Sequence, residues 1–307
     1  MALPSSGTLS ISDIATEFND TAPNSMSEFY RGGGKVPDSA GNSSVPASGQ
    51  IGIGNFYNAA NRAAVAISIA ANTQNYDVYT QASANPSYVA GTSDITVTVD
   101  SGIAVGSTST GTYALSIPNS FNPGDTVTIV NNGTIIGAGG NGGNGGNKYY
   151  WPQSPTGVQP GTPGSGGGNA VYVNFPTIIT NNGTIAGGGG GGGGGASTNL
   201  PTGGYGGGGG GGGAGYSGGS GGAMNPPFAA VPYTYNGTPG ATGTTTAGGA
   251  GGSRGGGAGG GQGANGSSGS PGNPGVVGGT GGTRGYYVVG NPLVTYPATG
   301  TLLGQVS

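Results

Sequence analysis

Apolar and polar positions alternate in four stretches between residues 63 and 135. They are Ala64-Val65-Ala66-Ile67-Ser68-Ile69, Ile95-Thr96-Val97-Thr98-Val99, Tyr113-Ala114-Leu115-Ser116-Ile117 and Thr126-Val127-Thr128-Ile129-Val130. Each is rich in β-branched residues and bounded by Gly, Asn, Asp or Pro, the pattern of short half-buried strands. Asn122-Pro123-Gly124-Asp125 reads as a turn. The spacing predicts a small β-sandwich-like domain over 63–135. The stretch Thr128-Ile129-Val130-Asn131-Asn132-Gly133-Thr134-Ile135-Ile136-Gly137 returns as Thr177-Ile178-Ile179-Thr180-Asn181-Asn182-Gly183-Thr184-Ile185-Ala186-Gly187. Each copy reads as strand, Asn-Asn-Gly turn, strand and then a glycine run. A degenerate third copy is expected at Tyr286-Tyr287-Val288-Val289-Gly290-Asn291-Pro292-Leu293-Val294-Thr295. Strands that return after long excursions imply a β layer from which the glycine segments project.

The first 62 residues carry a different repeat. Pro4-Ser5-Ser6-Gly7-Thr8-Leu9-Ser10-Ile11 aligns without gaps on Pro46-Ala47-Ser48-Gly49-Gln50-Ile51-Gly52-Ile53. The Pro-x-Ser-Gly start is a turn signal, and the alternating Leu9/Ile11 and Ile51/Ile53 predict two very short strands. Ser10-x-x-Asp13 and Ser25-x-x-Glu28 match the capping box that starts a helical turn. These modules are too small for much core of their own and read as assembly or docking elements.

From 136 onward glycine dominates: 65 of the 78 glycines lie at or beyond Gly133. That composition alone reads as a flexible linker, but the glycines have a phase. Residues 139–147 read GGN three times, and nine consecutive triplets from Gly257 to Thr283 begin with Gly. A period of three matches the polyproline-II geometry, with 3 residues per turn and a rise of about 3.1 Å. In that helix nothing is hydrogen-bonded internally, so neighbours must satisfy the backbone. The 257–283 segment would reach roughly 84 Å as one straight helix, an upper bound that any fold-back shortens. A collagen triple helix fits less well, since the strict phase covers one segment and its prolines are sparse. The predicted architecture is therefore mainly β: N-terminal assembly repeats (1–62), the small β domain (63–135), and a polyglycine II helix bundle with projecting loops (136–307).

Composition removes most chemistry. The chain has no Cys and no His, which excludes thiol nucleophiles, imidazole bases and nearly every zinc site. Absence of Cys also fits a product indifferent to redox compartment. All nine acids lie between Asp13 and Asp125, and beyond them the only charged side chains are Lys148, Arg254 and Arg284. The net charge of −3 offers no basic footprint for nucleic acid. Asp94, Asp100 and Asp125 are the carboxylates available in the β region, and they read as turn and edge residues more readily than as an acid/base pair or calcium site. Gly137-Ala138-Gly139-Gly140-Asn141-Gly142 fits a dinucleotide fingerprint only formally, with neither the following helix nor a downstream acid. No enzyme, cofactor or metal is expected. Met1 to Thr8 shows no leader-like basic start or apolar run, and no stretch is long enough to span a membrane, so synthesis in a cytoplasm is expected.

The N-terminal module, followed by Glu28-Phe29-Tyr30-Arg31-Gly32-Gly33, resembles the start of many phage structural proteins. The stretch from Asp100 to Thr110, the Asn-Asn-Gly repeats and the closing segment from Gly290 to Gly304 resemble a glycine-rich tail-fibre or tail-tip adhesin family. The resemblance covers most of the chain. It implies a virion protein in which a sandwich of polyglycine II helices presents loops to the bacterial surface, either polysaccharide or outer-membrane protein. It also implies an N-terminal region bound to other tail proteins, and a homo-oligomer with a trimer favoured. The aromatic breaks in the glycine pattern are then the candidate receptor-binding residues: Lys148, Tyr149, Tyr150, Trp151, Tyr205, Tyr216, Phe228, Tyr233 and Tyr235. Aromatic rings among Gly, Ser and Asn give large contact area at low entropic cost. The rival for these residues is that they merely cap the lattice. The rivals for the chain are a virion fibre or decoration protein without receptor contact, and an ice-binding protein. The last needs a regular Thr array, and only 242–246 is dense in Thr.

Overall fold

The computed structural model describes residues 3–147, 158–198, 205–224, 237–273 and 275–307. Fifteen short strands form three five-stranded sheets, and every strand pairing is parallel. The first sheet holds β1 (Ala63–Ile69), β4 (Ser93–Val99), β7 (Thr126–Asn131), β10 (Thr177–Asn181) and β13 (Val294–Ala298) in that order. The second holds β2 (Thr73–Gln74), β5 (Ala104–Gly106), β8 (Thr134–Ile136), β11 (Thr184–Ala186) and β14 (Thr301–Leu303). The third holds β3 (Tyr76–Asp77), β6 (Leu115–Ile117), β9 (Val171–Val173), β12 (Tyr286–Val289) and β15 (Gln305–Val306). The chain visits the three sheets in turn, five times over, and so winds a three-sided parallel prism. The mainly-β expectation holds, but the strands stack as coils instead of facing each other as a sandwich. Alternation tells which residues point inward and is silent on which strands pair.

Side chains stack in columns through the prism. Ile67, Val97, Ile129 and Ile179 occupy the same register on successive coils, as do Val65, Ile95, Val127 and Thr177. Val97 and Ile129 are fully buried. Where the first sheet bends into the second, Asn131 and Asn181 are buried one above the other. Asn131 Nδ2 donates to Asn181 Oδ1 at 2.7 Å, and Asn181 Nδ2 donates to the Thr299 carbonyl at 2.6 Å. The repeated Asn-Asn-Gly is thus a prism corner, and its first Asn builds an internal ladder. The third copy is shifted from its expected place: Val294 and Thr301 take the register of Thr177 and Thr184. Tyr286–Val289 belongs instead to the third sheet.

Carboxylates pin the prism edges. Asp125 accepts from the Ser93 amide (3.0 Å), the Asn122 amide (3.1 Å) and the Tyr88 hydroxyl (2.8 Å). Burial, and then this bond to Asp125, raise the Tyr88 phenol above its ordinary value. Asp94 pairs with Arg62 at 2.7 Å and Asp100 accepts from Ser68 at 3.0 Å. Tyr79, Tyr88, Phe121 and Phe175 fill the corner where the third sheet returns to the first.

Residues 3–62 form a second small core of Leu3, Ile14, Phe18, Phe29, Val36, Val45 and Phe56. No strands form at Leu9/Ile11 or Ile51/Ile53. Ile11–Glu17 is a helix, and Ile53–Phe56 a single 3-10 turn. A three-residue alternation is too short to override the cap: Ser10 and Asp13 close a full capping box, which sets helical spacing for Ile11 and Ile14. The same bond recurs twice, from Ser25 N to Glu28 and from Gly52 N to Asn55. Contacts between copies repeat too. Arg31 N donates to Pro46 O as Asn58 N does to Pro4 O, and the Tyr30 and Tyr57 hydroxyls reach the carbonyls of Gly49 and Gly7. Phe18, Phe29 and Phe56 meet in a near-equilateral triangle with centroid separations of 6.2, 6.3 and 6.2 Å.

Candidate functional site

Both long excursions leave the prism at one place, the step from the second sheet to the third. In the first coil that step is Asn75 alone; in the second it is 107–114; in the third, 137–170; and in the fourth, 187–285. The described residues of the two long ones form ten extended threads: 137–147, 158–168, 187–198, 205–215, 217–224, 237–244, 247–252, 256–261, 264–272 and 276–285.

Hydrogen bonding among the threads has a period of three. Along 187–198, Gly188 donates to Gly168 (2.8 Å), Gly189 to Ala214 (2.7 Å) and Gly190 to Ala264 (3.0 Å), after which the same three neighbours are visited again. The carbonyls of this thread accept from Gly140, Gly260 and Gly282, on three further threads. Thread 187–198 therefore has six neighbours, and so does 205–215. Two adjacent sites of a hexagonal array share two neighbours and have eight in all, which with the pair makes ten. Uninterrupted glycine follows from this count. A Cβ on Gly188, Gly189 or Gly190 would lie 1.8, 2.1 or 2.0 Å from a neighbouring carbonyl oxygen, whereas one on the rim residue Gly261 meets its nearest atom at 3.7 Å. Rim threads place side chains where a neighbour is missing. There Asn141 and Asn144 accept from the Ser220 and Ala223 amides, both at 2.9 Å. The 257–283 segment is not one long helix: it folds back at 262–263 and again after Gly272, with Gly263 and Gly275 at positive φ of 61° and 87°.

The array has an inner and an outer end. Turns at 215–217, 244–247 and 261–264 lie at the inner end, against the prism: Tyr216 N donates to Gly137 O and Gly263 N to Gly187 O. At the outer end lie the turn 253–255, Asn273 and Gly275, and the described residues flanking 148–157, 199–204 and 225–236. Tyr205 belongs to this outer end, where it forms a two-way backbone bridge with Thr198 at 2.9 Å in each direction. Tyr216 belongs to the opposite end. Its ring lies so close over Gly106 that a Cβ there would fall 1.9 Å from the ring carbon Cγ, so it locks the threads to the prism. Lys148, Tyr149, Tyr150, Trp151, Phe228, Tyr233 and Tyr235 lie outside the described residues.

The structure adds Arg254, which sequence reasoning passed over. Its guanidinium carbon sits 3.7 Å from the centre of the Tyr205 ring, and its φ is +64° in the outer turn. The signal was present: Arg254 is the one charged residue between Lys148 and Arg284, and it interrupts a glycine phase. The stack borders a cavity of about 380 Å³ lined by Ala196, Thr198, Tyr205, Arg254, Pro271 and Asn273 among others. Among the described residues no group of three or more acidic side chains forms a metal cluster, and no helix is long and apolar enough to cross a membrane.

The arrangement is a backbone-bonded support whose described flanks of 148–157, 199–204 and 225–236 lie at one end. No curated protein matches the sequence. The crystal structure of the gp37–gp38 adhesin tip complex of the bacteriophage S16 long tail fibre is similar at 20% identity, over 99% of this chain and 100% of that one, with a TM-score of 0.49. The family model described as phage tail fibre adhesin Gp38 matches residues 64–307, which takes in the whole prism and every thread, and the chain belongs to that family.

Proposed function

We propose that this tail fibre adhesin grips the bacterial surface with the outer end of its thread array, and that residues 1–62 dock it to the rest of the fibre. One observation carries the first half. The three longest breaks in the glycine pattern, 148–157, 199–204 and 225–236, are all flanked by described residues at the outer end, and two of them hold the aromatic and proline-rich sequences 148–157 and 225–236. The array supplies rigidity without side-chain bulk, and rigid aromatic display is a low-entropy way to bind a surface. The ligand class is a polysaccharide or an outer-membrane protein.

For the second half, the family match begins at Ala64, just beyond the N-terminal repeats. Their head-to-tail contacts suit a rotationally symmetric fibre end, because repeated contacts of one hand generate rings. The S16 complex, in which gp38 is found with gp37, is in keeping with a fibre-protein partner. The chain works by binding alone, with no bond cleaved: Asp94, Asp100 and Asp125 are held by Arg62, Ser68 and Tyr88 at the prism edges, and no acid occurs beyond Asp125.

Purified chain, fluorescently labelled, is expected to bind host cells and to block adsorption of the phage. Tyr150→Ala with Trp151→Ala is expected to lower binding at least about tenfold, in line with aromatic hot spots, while the protein folds normally. Unchanged binding by the double variant would remove that segment from the reading.

A further inference from the structure

Charge is divided unequally along this chain. Every acid lies at or before Asp125, and the described ones sit in the N-terminal module and the prism. Beyond them stand only three cations. Arg284 lies at the inner end of thread 276–285, where its amide donates to Asn265. Arg254 sits in the outer turn itself, and Lys148, outside the described residues, follows Asn147 in sequence. The outer face therefore carries positive charge with no carboxylate among its described residues.

Arg254 is also arranged. The Tyr205 ring, 3.7 Å from the guanidinium carbon, places the group by a cation–π contact, and the guanidinium carries a fork of N–H donors. That fork matches the paired oxygens of a carboxylate or phosphate. Arg254 makes none of the ion pairs found among the described residues and is exposed. Across the same hollow, Thr198 Oγ1 is buried without a hydrogen-bond partner among the described residues. Asn273 and Ser270 complete a lining of neutral polar groups. A hollow of about 380 Å³ is within the range of small-molecule sites.

We propose that this hollow is an anion subsite, which takes the phosphate or carboxylate of an acidic surface sugar through the Arg254 fork, with Thr198 and Asn273 on the sugar hydroxyls. This rests on the reading of the outer end as the host-facing surface, and it narrows that reading to a charged saccharide.

Titration of the full chain with glucose 1-phosphate, glucuronate and glucose, followed by NMR at the Arg254 side-chain N–H and the Tyr205 ring, tests it. Both anions are expected to shift these signals and to bind at least about tenfold tighter than glucose, with the advantage shrinking at high salt as exposed charges are screened. The stronger of the two anions identifies the natural group as phosphate or carboxylate. R254Q is expected to erase the preference, and R254K to keep part of it, since a point charge remains without the planar fork. Glucose binding as well as the anions, or an R254Q protein that still prefers them, overturns the subsite. Should R254Q fail to fold, the wild-type salt dependence and the anion-to-glucose ratio decide alone. Host-cell binding is measured in parallel. Wild-type protein that binds cells without competition from either anion overturns the subsite and leaves the adhesin reading standing. Failure to bind cells at all counts against the outer end as the host-facing surface, while the NMR result still judges the subsite.

Discussion

The prism and the thread array solve the same problem with opposite materials. Both stack extended chain, and both leave almost no backbone group unpaired in their interior. In the prism, strands pair within each sheet and the interior is filled by side chains such as Val97, Ile129 and Leu115, all fully buried. In the array, each interior thread is surrounded on six sides by backbone, and side chains are excluded. One core is held by apolar burial. The other depends on hydrogen bonds worth about 0.5–1.5 kcal/mol each, multiplied over many glycines, and it must overcome the large entropic cost of ordering glycine. The comparison explains the sequence. A prism coil tolerates change at its outward positions, whereas an interior thread tolerates none along its glycine run, 187–195 or 206–213.

Substitutions can break this contrast, and the largest effect is expected inside the array. Gly192→Val places a branched side chain where even a Cβ lies 2.0 Å from the Gly257 carbonyl oxygen. It should cost more than about 3 kcal/mol, the upper range of overpacking, and denaturant unfolding should show the array lost or grossly weakened. In the prism, Ile129→Ala opens a void in the column between Val97 and Ile179 and should cost about 2–5 kcal/mol while the array keeps its shape. Asn181→Ala breaks the internal ladder and leaves the buried Asn131 Nδ2 without its 2.7 Å partner. The expected loss is about 1–3 kcal/mol, read as a lower melting temperature. Gly261→Ala is the counterpart on the rim, with 3.7 Å of clearance. It should change stability by no more than about 1 kcal/mol, and can raise it by restricting the unfolded chain.

The N-terminal module sharpens the contrast in another way, since it relies on charge where the thread array has no acid. Ser10 holds the Asp13 carboxyl below its ordinary 3.8, and the bond from Lys35 holds Asp20 below that value too. A depressed carboxylate contributes stability that is complete above the unfolded value and is lost as pH falls through the folded one. Acid should therefore loosen residues 3–62 as pH drops below about 4. The thread array, which contains no acid, should be indifferent over the same interval. Proteolysis or hydrogen exchange at pH 3 and pH 7 reads the difference.

Much of this was legible in the sequence, at different depths. The period-two stretches marked the strands, and the returning Asn-Asn-Gly marked chain that comes back to one layer. Asn131 and Asn181 indeed face each other across that return. Parallel coiling was hidden because alternation carries no information on strand partners. The glycine phase of three predicted neighbour-to-neighbour bonding, whereas the unbroken runs at 187–195 and 206–213 fit any phase and show their place in the two six-neighbour threads only in the structure. The fold-backs at 262–263 and after Gly272 were invisible because the triplet phase runs on through them. Tyr205 and Tyr216 looked equivalent in sequence and lie at opposite ends, since position in the array depends on counting threads. Arg254 was overlooked because a lone cation in a glycine run has no motif, and its meaning comes from the Tyr205 ring beneath it.

The central claim is that the glycine-rich half is an ordered, backbone-bonded support and not a flexible tether. Native-state hydrogen exchange tests it most directly, by comparing peptides from 187–195 and 206–213 with those from the prism strand Thr126–Asn131. The account predicts that the two glycine runs are protected as strongly as that strand, and more strongly than rim threads such as 247–252. Glycine amides that exchange at the rate of an unfolded chain while the prism stays protected would contradict it.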